Sequence, residues 1–195
     1  MHAKTSVLSF CSALGLILVA APAIAQLSAS ATISTSQLVS PFTYTIDLTN
    51  TGSSPISTFW FAWTPPGQPT EYSFLPSVPT SPSAPSGWLD PVVSGFPGYS
   101  IEYYDGAGGT NAIQPGHDGL FQFTSADSPT TLQGKAFGVY PILDSTMYAS
   151  FPESGSDVVF SATFVQVPEP SSIVLAGLGG LAGLMAWRRR RLAGA

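Results

Sequence analysis

Few side chains in this sequence could carry chemistry. The two histidines are His2 and His117, and the one cysteine is Cys11. Structural and catalytic zinc sites take several Cys, His or carboxylate ligands, so residues 26–166 cannot assemble a metal centre based on Cys or His. No Gly-x-Ser-x-Gly elbow is present, and His117 stands in a polar turn between predicted strands. The sequence therefore predicts no metal, no cofactor and no catalytic triad.

Paired carboxylates offer a different chemistry. Glu102 with Asp105, or Glu153 with Asp157, could supply the acid and the base of a glycosidase. The alternative is that these charges only keep the domain soluble. The glycine-rich segment 105–111 could offer oxygen ligands to Ca²⁺, but it lacks the regular acidic spacing of an EF-hand loop, and a plain turn is the other interpretation.

Aromatic side chains are the residues best suited to binding. Flat aromatic faces fit pyranose rings, and Trp63, Tyr72 and Trp88 flank a proline-rich segment (65–85) where we expect them to be exposed. These three residues are the predicted sugar-stacking candidates. The alternative places Trp60 and Trp63 in the core of the sheet, because large aromatic side chains dominate burial.

Charge excludes one class of partner. Residues 26–166 contain ten acidic side chains and one basic side chain, Lys135, which gives a net charge of about −9. A domain of this sign repels nucleic acids and anionic lipid surfaces. We expect no nucleic-acid partner.

The elements that must position these side chains are strands. Residues 42–49 alternate apolar and polar side chains, which predicts a half-buried strand. The turn-forming residues 50–55 follow, and residues 56–63, apolar on both faces, predict a central strand that pairs with the first as a hairpin. The further predicted strands are 99–104, 120–124, 158–167, a weaker one at 131–140, and an edge strand at 88–93 that Pro91 interrupts.

No helical period is evident between residues 26 and 171. Many short strands with Gly and Pro turns predict an all-β fold, a β-sandwich of the immunoglobulin-like or jelly-roll type. The turn Leu48-Thr49-Asn50-Thr51-Gly52 resembles those of bacterial immunoglobulin-like surface domains. This ectodomain is predicted to span residues 26–166.

The first 25 residues predict a secretory signal peptide. Lys4 supplies the positive charge, residues 7–21 form the apolar region, and Ala23 and Ala25 form the small-x-small site before Gln26. Signal peptidase is therefore an expected partner. The exported chain has no cysteine and makes no disulfide.

The last 29 residues combine three features. Residues 172–187 carry no charge and, as a helix, would reach about 24 Å. Trp187 and the basic cluster Arg188, Arg189, Arg190 and Arg191 follow; they extend the effective span and predict a transmembrane helix whose C-terminus is cytoplasmic.

The third feature precedes this helix. Val167, Pro168, Glu169 and Pro170 form a segment that the two prolines hold extended, as a protease requires of a substrate. Pro170 could also open the helix, with Glu169 at its positive end.

Pro-Glu-Pro, an apolar helix and an arginine cluster, in this order, resemble the PEP-CTERM sorting signal. The resemblance implies processing by an exosortase, a membrane-embedded enzyme of Gram-negative bacteria. It also implies transient anchoring in the inner membrane and delivery to the cell surface or the exopolysaccharide matrix. It covers residues 167–195 and says nothing about the chemistry of residues 26–166.

Three functions follow from the sequence. The first is a secreted, non-enzymatic surface or matrix protein. The second is a carbohydrate-binding module that holds exopolysaccharide, and the third is a carboxylate-dependent hydrolase.

Overall fold

The computed structural model describes residues 25–65, 72–136, 140–153 and 157–166. In these ranges the chain is nearly all β, with one helical turn. In chain order the elements are β1 (Ala29–Thr35), β2 (Phe42–Asn50), β3 (Thr58–Phe61), β4 (Trp63–Thr64), β5 (Tyr72–Ser73), β6 (Thr80–Ser83), β7 (Trp88–Leu89), β8 (Val92–Ser94), β9 (Phe96–Pro97), β10 (Tyr99–Asp105), β11 (Asp118–Ser125), α1 (Pro129–Leu132), β12 (Lys135–Ala136), β13 (Tyr140–Pro141), β14 (Asp144–Tyr148), β15 (Val158–Ser161) and β16 (Thr163–Gln166).

The strands form two main sheets. One has five strands in the order β16-β1-β2-β11-β6, and the other has six, in the order β15-β14-β3-β10-β7, with β8 also paired to β10. The predicted strands at 42–49, 99–104 and 120–124 are confirmed as β2, β10 and β11. Two small sheets, β4-β5-β9 and β12-β13, complete the fold.

A shared aromatic core joins the two main sheets. Phe59 of β3 and Tyr103 of β10 lie 5.5 and 4.7 Å, between ring centroids, from Phe121 of β11. Phe61 lies 5.1 Å from Phe123. All five side chains are fully buried, and burial of each is worth about 1.5–3 kcal/mol. The sheets therefore stack face to face, in a sandwich-like arrangement.

The predicted hairpin at residues 42–63 is wrong. β2 pairs with β1 and β11, whereas β3 pairs with β10 and β14 in the other sheet. The turn between them carries the chain across the core, and buried Asn50 holds it there: its Nδ2 donates to the carbonyls of Ser54 and Ile113, each at 2.8 Å. The central position predicted for residues 56–63 is confirmed for β3.

The predicted strand at 158–167 is divided between the two sheets. β15 pairs with β14, and β16 runs parallel to β1. Ala162 lies between them and is buried, so the in-and-out alternation continues through the change of sheet. Val167 lies outside the described residues.

The prediction of a strand at 131–140 is wrong at its start. Ser128 caps α1 by accepting a hydrogen bond from the Thr131 amide at 3.1 Å, and Pro129 occupies the first turn. Both are helix-initiating signals, and buried Leu132 fixes the turn to the core. The predicted edge strand at 88–93 is present as β7 and β8 on either side of Pro91.

Candidate functional site

The described residue with the most perturbed carboxyl group lies on the outer face of the six-stranded sheet. Glu102 on β10 stands opposite Trp60 on β3. The Trp60 indole Nε1 donates a 2.8 Å hydrogen bond to Glu153 Oε1, and the charge of Glu153 acts on Glu102. We call these three residues the carboxyl–indole cluster.

Glu102 has the perturbed carboxyl group of the cluster. Burial first, and then the charge and hydrogen-bonding capacity of the neighbouring Glu153, raise the pKa of Glu102 to about 7. Near neutral pH, a substantial share of the Glu102 carboxyl groups therefore carries a proton.

Further aromatic rings lie near the cluster. The ring centroids of Trp60 and Trp63 are 4.8 Å apart. Tyr104, two residues along β10 from Glu102, stacks on Phe151 at 3.8 Å with the planes 14° apart. The outer face thus carries two aromatic pairs around one acidic pair.

The predicted carboxylate pair of Glu102 and Asp105 is not assembled. Glu102 and Asp105 are three residues apart on one strand, so they point to opposite faces. Asp157 is exposed immediately before β15. The pairing of Glu102 with Glu153 joins positions 51 residues apart, and no local sequence pattern indicates it.

The glycine-rich loop is organised around Asp105. Its Oδ1 accepts from the Ala107 amide at 2.8 Å and from Asn111 Nδ2 at 3.1 Å, and its Oδ2 accepts from the Asn111 amide at 2.7 Å. Burial raises the pKa of Asp105, but these hydrogen bonds and one from Gly109 outweigh it and lower the pKa below its ordinary value. Both carboxylate oxygens of Asp105 accept hydrogen bonds within the turn. Asp105 would be the main ligand of a calcium ion in this loop, so these bonds argue against a calcium site. In the described ranges, no three His, Cys, Asp or Glu side chains are grouped to hold a metal ion.

The sugar-stacking candidates differ in exposure. Trp63 and Trp88 are each only 7% exposed, so the expectation that both are exposed is wrong. Trp63 packs on Trp60, and Trp88 packs on Phe121 while its Nε1 donates to the Asn111 carbonyl at 2.8 Å.

Tyr72 alone among the three remains half-exposed. It pairs across β5 and β9 with Phe96, which is 68% exposed and was not among the predicted site residues. Phe96 lies between Gly95 and Pro97. Because glycine and proline are typical of turns, the sequence does not indicate the short strand β9.

Other predicted residues lie apart from the cluster. His117 is exposed, and its amide donates to the Gln114 carbonyl at 3.0 Å, as expected of a polar turn. A groove of about 300 Å³ on the five-stranded sheet is lined by hydroxyls and one amide, from Ser34, Thr35, Ser36, Gln37, Thr43 and Thr45.

The terminal segments lie largely outside the described residues. This applies to Ala23, to the motif Val167, Pro168, Glu169 and Pro170, to the predicted helix at 172–187, and to the arginines at 188–191. Ala25 and Gln26 are described: the Gln26 carbonyl accepts from the amides of Ser53 and Ser54 at 2.8 and 3.2 Å. Within the described part of the chain, no helix is long and apolar enough to cross a membrane.

Comparison with protein families matches residues 166–191 to the PEP-CTERM protein-sorting motif. The chain carries a PEP-CTERM sorting motif. The motif begins at Gln166, the last residue of β16. It implies export and an extracellular location, and it confirms the resemblance drawn from the sequence.

Comparisons over the rest of the chain give little. No curated protein matches. One similar solved structure is described as "The unique CBM3- of Hungateiclostridium clariflavum"; it is 11% identical, covers 70% of this chain and 88% of its own, and has a TM-score of 0.31. At that TM-score the likeness carries no weight for fold or ligand.

Proposed function

We propose that this chain is a non-enzymatic surface or matrix protein whose β domain, residues 26–166, is sorted by an exosortase. A signal peptide at residues 1–25 starts export and is removed by signal peptidase. The helix at 172–187 and the arginines at 188–191 then hold the chain in the inner membrane with the C-terminus in the cytoplasm. Processing at residues 167–170 releases the domain toward the cell surface.

One observation carries this proposal: the sorting motif starts where the folded domain ends. β16 ends at Gln166 and the motif match begins there, so the sorting motif follows the β domain directly. Two stacked sheets with several crossings between them support a sandwich of the immunoglobulin-like or jelly-roll type. The carboxyl–indole cluster gives no support to a hydrolase.

The test is the location of the protein in its own host. Full-length chain, a chain without residues 167–195, and a chain with Pro168, Glu169 and Pro170 replaced by Ala are expressed and the cells fractionated. We expect surface delivery of the first, loss from the surface of the second, and retention of the third in the inner membrane. Unchanged surface delivery of the two variants would overturn the proposal.

A second function, binding of a neutral polysaccharide, is favoured by half-exposed Tyr72 and exposed Phe96. The two residues are partners on the neighbouring strands β5 and β9, so their side chains lie on the same face of this small sheet, and aromatic rings are side chains on which sugar rings stack. Binding to the host exopolysaccharide is measured by pull-down. We expect Tyr72→Ala and Phe96→Ala each to weaken binding about tenfold, which corresponds to about 1.4 kcal/mol. The control is Leu89→Ala, which is half-exposed at a different edge; equal binding by all variants would exclude this surface.

A further inference from the structure

The sorting motif leaves the β domain at the same end as the loop between β1 and β2. β16 runs parallel to β1, and its last residue, Gln166, is paired with Thr35, the last residue of β1. Residues 36–41 then connect β1 to β2, which begins at Phe42. We call this loop the tip, and we call this end of the domain the tail end.

The tip carries exposed apolar side chains and no charge. Leu38 and Val39 are 61% and 75% exposed, and the other residues of the tip are Ser, Gln and Pro. Gln37 braces the base of the tip: its amide donates to Thr35 Oγ1 at 3.2 Å, and its side-chain Oε1 accepts from the Thr43 amide. The two apolar side chains are therefore exposed on a loop whose base is fixed to the sheet.

A third exposed apolar side chain lies at the tail end. Strand β11 ends there, because its last residue, Ser125, is paired with Phe42. Just beyond β11, the Asp127 carboxylate accepts hydrogen bonds from the Ser77 amide and hydroxyl at 3.0 and 2.7 Å. These bonds hold Val78, which is 50% exposed, at the same end.

The tail end carries less exposed negative charge than the opposite end. Asp127 is 7% exposed and both of its carboxylate oxygens accept hydrogen bonds, and Asp144, at the start of β14, is half-buried. Asp118 and Asp157 are exposed at the opposite end, where β11 and β15 begin. Lys135, the single Lys or Arg in the described ranges, lies in the connection from the end of β11 to the start of β14.

We propose that the tip is a membrane contact: while the tail anchors the chain, Leu38 and Val39 insert into the outer surface of the inner-membrane bilayer. This inference rests on the proposed function, in which the tail spans that membrane. Five residues, 167–171, separate Gln166 from the proposed helix at 172–187, and an extended chain of this length reaches about 17 Å. Because the tip projects from the end of the domain at which this tether begins, the tether brings it to the lipid surface.

The contact depends on the tether. Two apolar side chains bind a bilayer only weakly by themselves, and stable attachment to a membrane surface takes a second signal. A short tether supplies that signal, because it raises the effective concentration of the tip at the surface to the millimolar range. Once processing cuts the tail, the contact is lost and the acidic domain leaves the membrane.

The test places a fluorophore on the tip. The full chain, with Cys11→Ser, is reconstituted in phosphatidylcholine nanodiscs, and the fluorophore is attached at Val39→Cys. We expect nitroxide-labelled lipids to quench it several-fold more strongly than the same fluorophore at Leu89→Cys. Leu89 is also exposed, at 50%, but it pairs with Tyr104 near the end of β10 that lies away from the tail end.

A third labelled position separates this inference from the function on which it rests. A fluorophore at Leu178→Cys, within the proposed helix, reports whether the tail lies in the bilayer. Quenching at position 178 without quenching at position 39 would overturn the membrane contact and leave the anchor in place. The absence of quenching at position 178 would overturn the anchor, and the membrane contact with it.

A charge in the tip tests whether lipid insertion, and not mere proximity, causes the quenching. Leu38→Asp should reduce the quenching at position 39 several-fold, whereas the matched variant Leu38→Ile should leave it unchanged. Leu38 is exposed, so neither variant should disturb the fold. Equal quenching in the two variants would overturn the proposal. Quenching at position 39 that appears only when an exosortase is also present in the nanodisc would overturn it in favour of a contact with the enzyme.

Discussion

At the scale of single residues, buried polar side chains hold the connections between strands. Asn50 has no exposed surface; it donates twice through Nδ2, and its Oδ1 accepts from the Gly52 amide at 3.0 Å. Asp105 is fully buried, and both of its carboxylate oxygens accept hydrogen bonds from backbone and side-chain amides. A buried polar group with all its bonds made specifies one turn geometry, because any other leaves it unsatisfied.

The Asp105 turn yields a prediction about stability and pH. Asp105→Asn replaces one acceptor oxygen by a donor that faces an amide N–H, which should lower the free energy of unfolding at pH 7 by about 1–3 kcal/mol. The pKa of Asp105 is lowered by these bonds, so its contribution is present above the ordinary value of 3.8 and disappears as pH falls through the folded value. Urea unfolding from pH 2 to 7 measures both effects.

The control for that experiment is Asp118→Asn. Asp118 is an exposed acid at the start of β11, so its replacement should change stability by no more than about 0.5 kcal/mol at any pH. If the two variants behave alike, Asp105 does not organise the loop.

At the scale of elements, the N-terminal segment is held by backbone contacts to a turn. The amides of Thr51 and Gly52 donate to the Ser28 carbonyl at 2.9 and 3.0 Å. A Cβ on Gly52 would lie 2.3 Å from the Gln26 carbonyl oxygen and 2.6 Å from the Ser28 amide nitrogen. Neither backbone atom can move away without breaking the contact.

Gly52→Ala should therefore detach residues 26–28 and cost about 1–3 kcal/mol of stability. Hydrogen exchange at the Ser53 and Ser54 amides, which donate to Gln26, should become fast. Gly108→Ala is the matched substitution in open space; it costs only backbone strain at φ +67°, about 1 kcal/mol, and should leave those two amides protected. Protected amides in Gly52→Ala would show that the segment is held some other way.

Local sequence patterns predict several of the strands, but they do not predict the sheet to which each strand belongs. β2, β10 and β11 were predictable because one face of each is buried and the other is not. The cluster 50–55 indicates a turn, yet a turn that closes a hairpin and one that crosses the core have similar composition. The alternation through Ala162 likewise hides a change of sheet. β1 and β14 were not predicted, because Ala, Ser and Thr dominate the first and the second is a short segment.

The candidate site is even harder to predict from the sequence. The contact between Trp60 and Glu153 joins residues 93 positions apart, and it depends on how β3 and the segment after β14 are arranged in space. The sorting motif is the opposite case: its three parts are contiguous, so residues 167–195 could be recognised without any structure.

At the scale of the whole molecule, the described domain is an acidic body attached to a basic tail. The ten acids of residues 26–166 face one lysine, whereas four arginines follow at 188–191. Negative charge spread over one small domain destabilises the compact state through self-repulsion. Salt screens that repulsion over about 10 Å at 0.1 M ionic strength.

The domain should therefore be stabilised by salt. Raising NaCl from about 10 mM to about 200 mM shortens the Debye length several-fold, and we expect the melting temperature, followed by circular dichroism at pH 8, to rise by about 2–4 °C, equivalent to about 1 kcal/mol. The double variant Asp47→Asn/Asp118→Asn removes two exposed charges on neighbouring strands. It should melt higher at low salt and respond less to added salt. A melting temperature that falls with salt, or a variant whose salt response equals that of the natural chain, would mean that local ion contacts and not net charge govern the electrostatics of this domain.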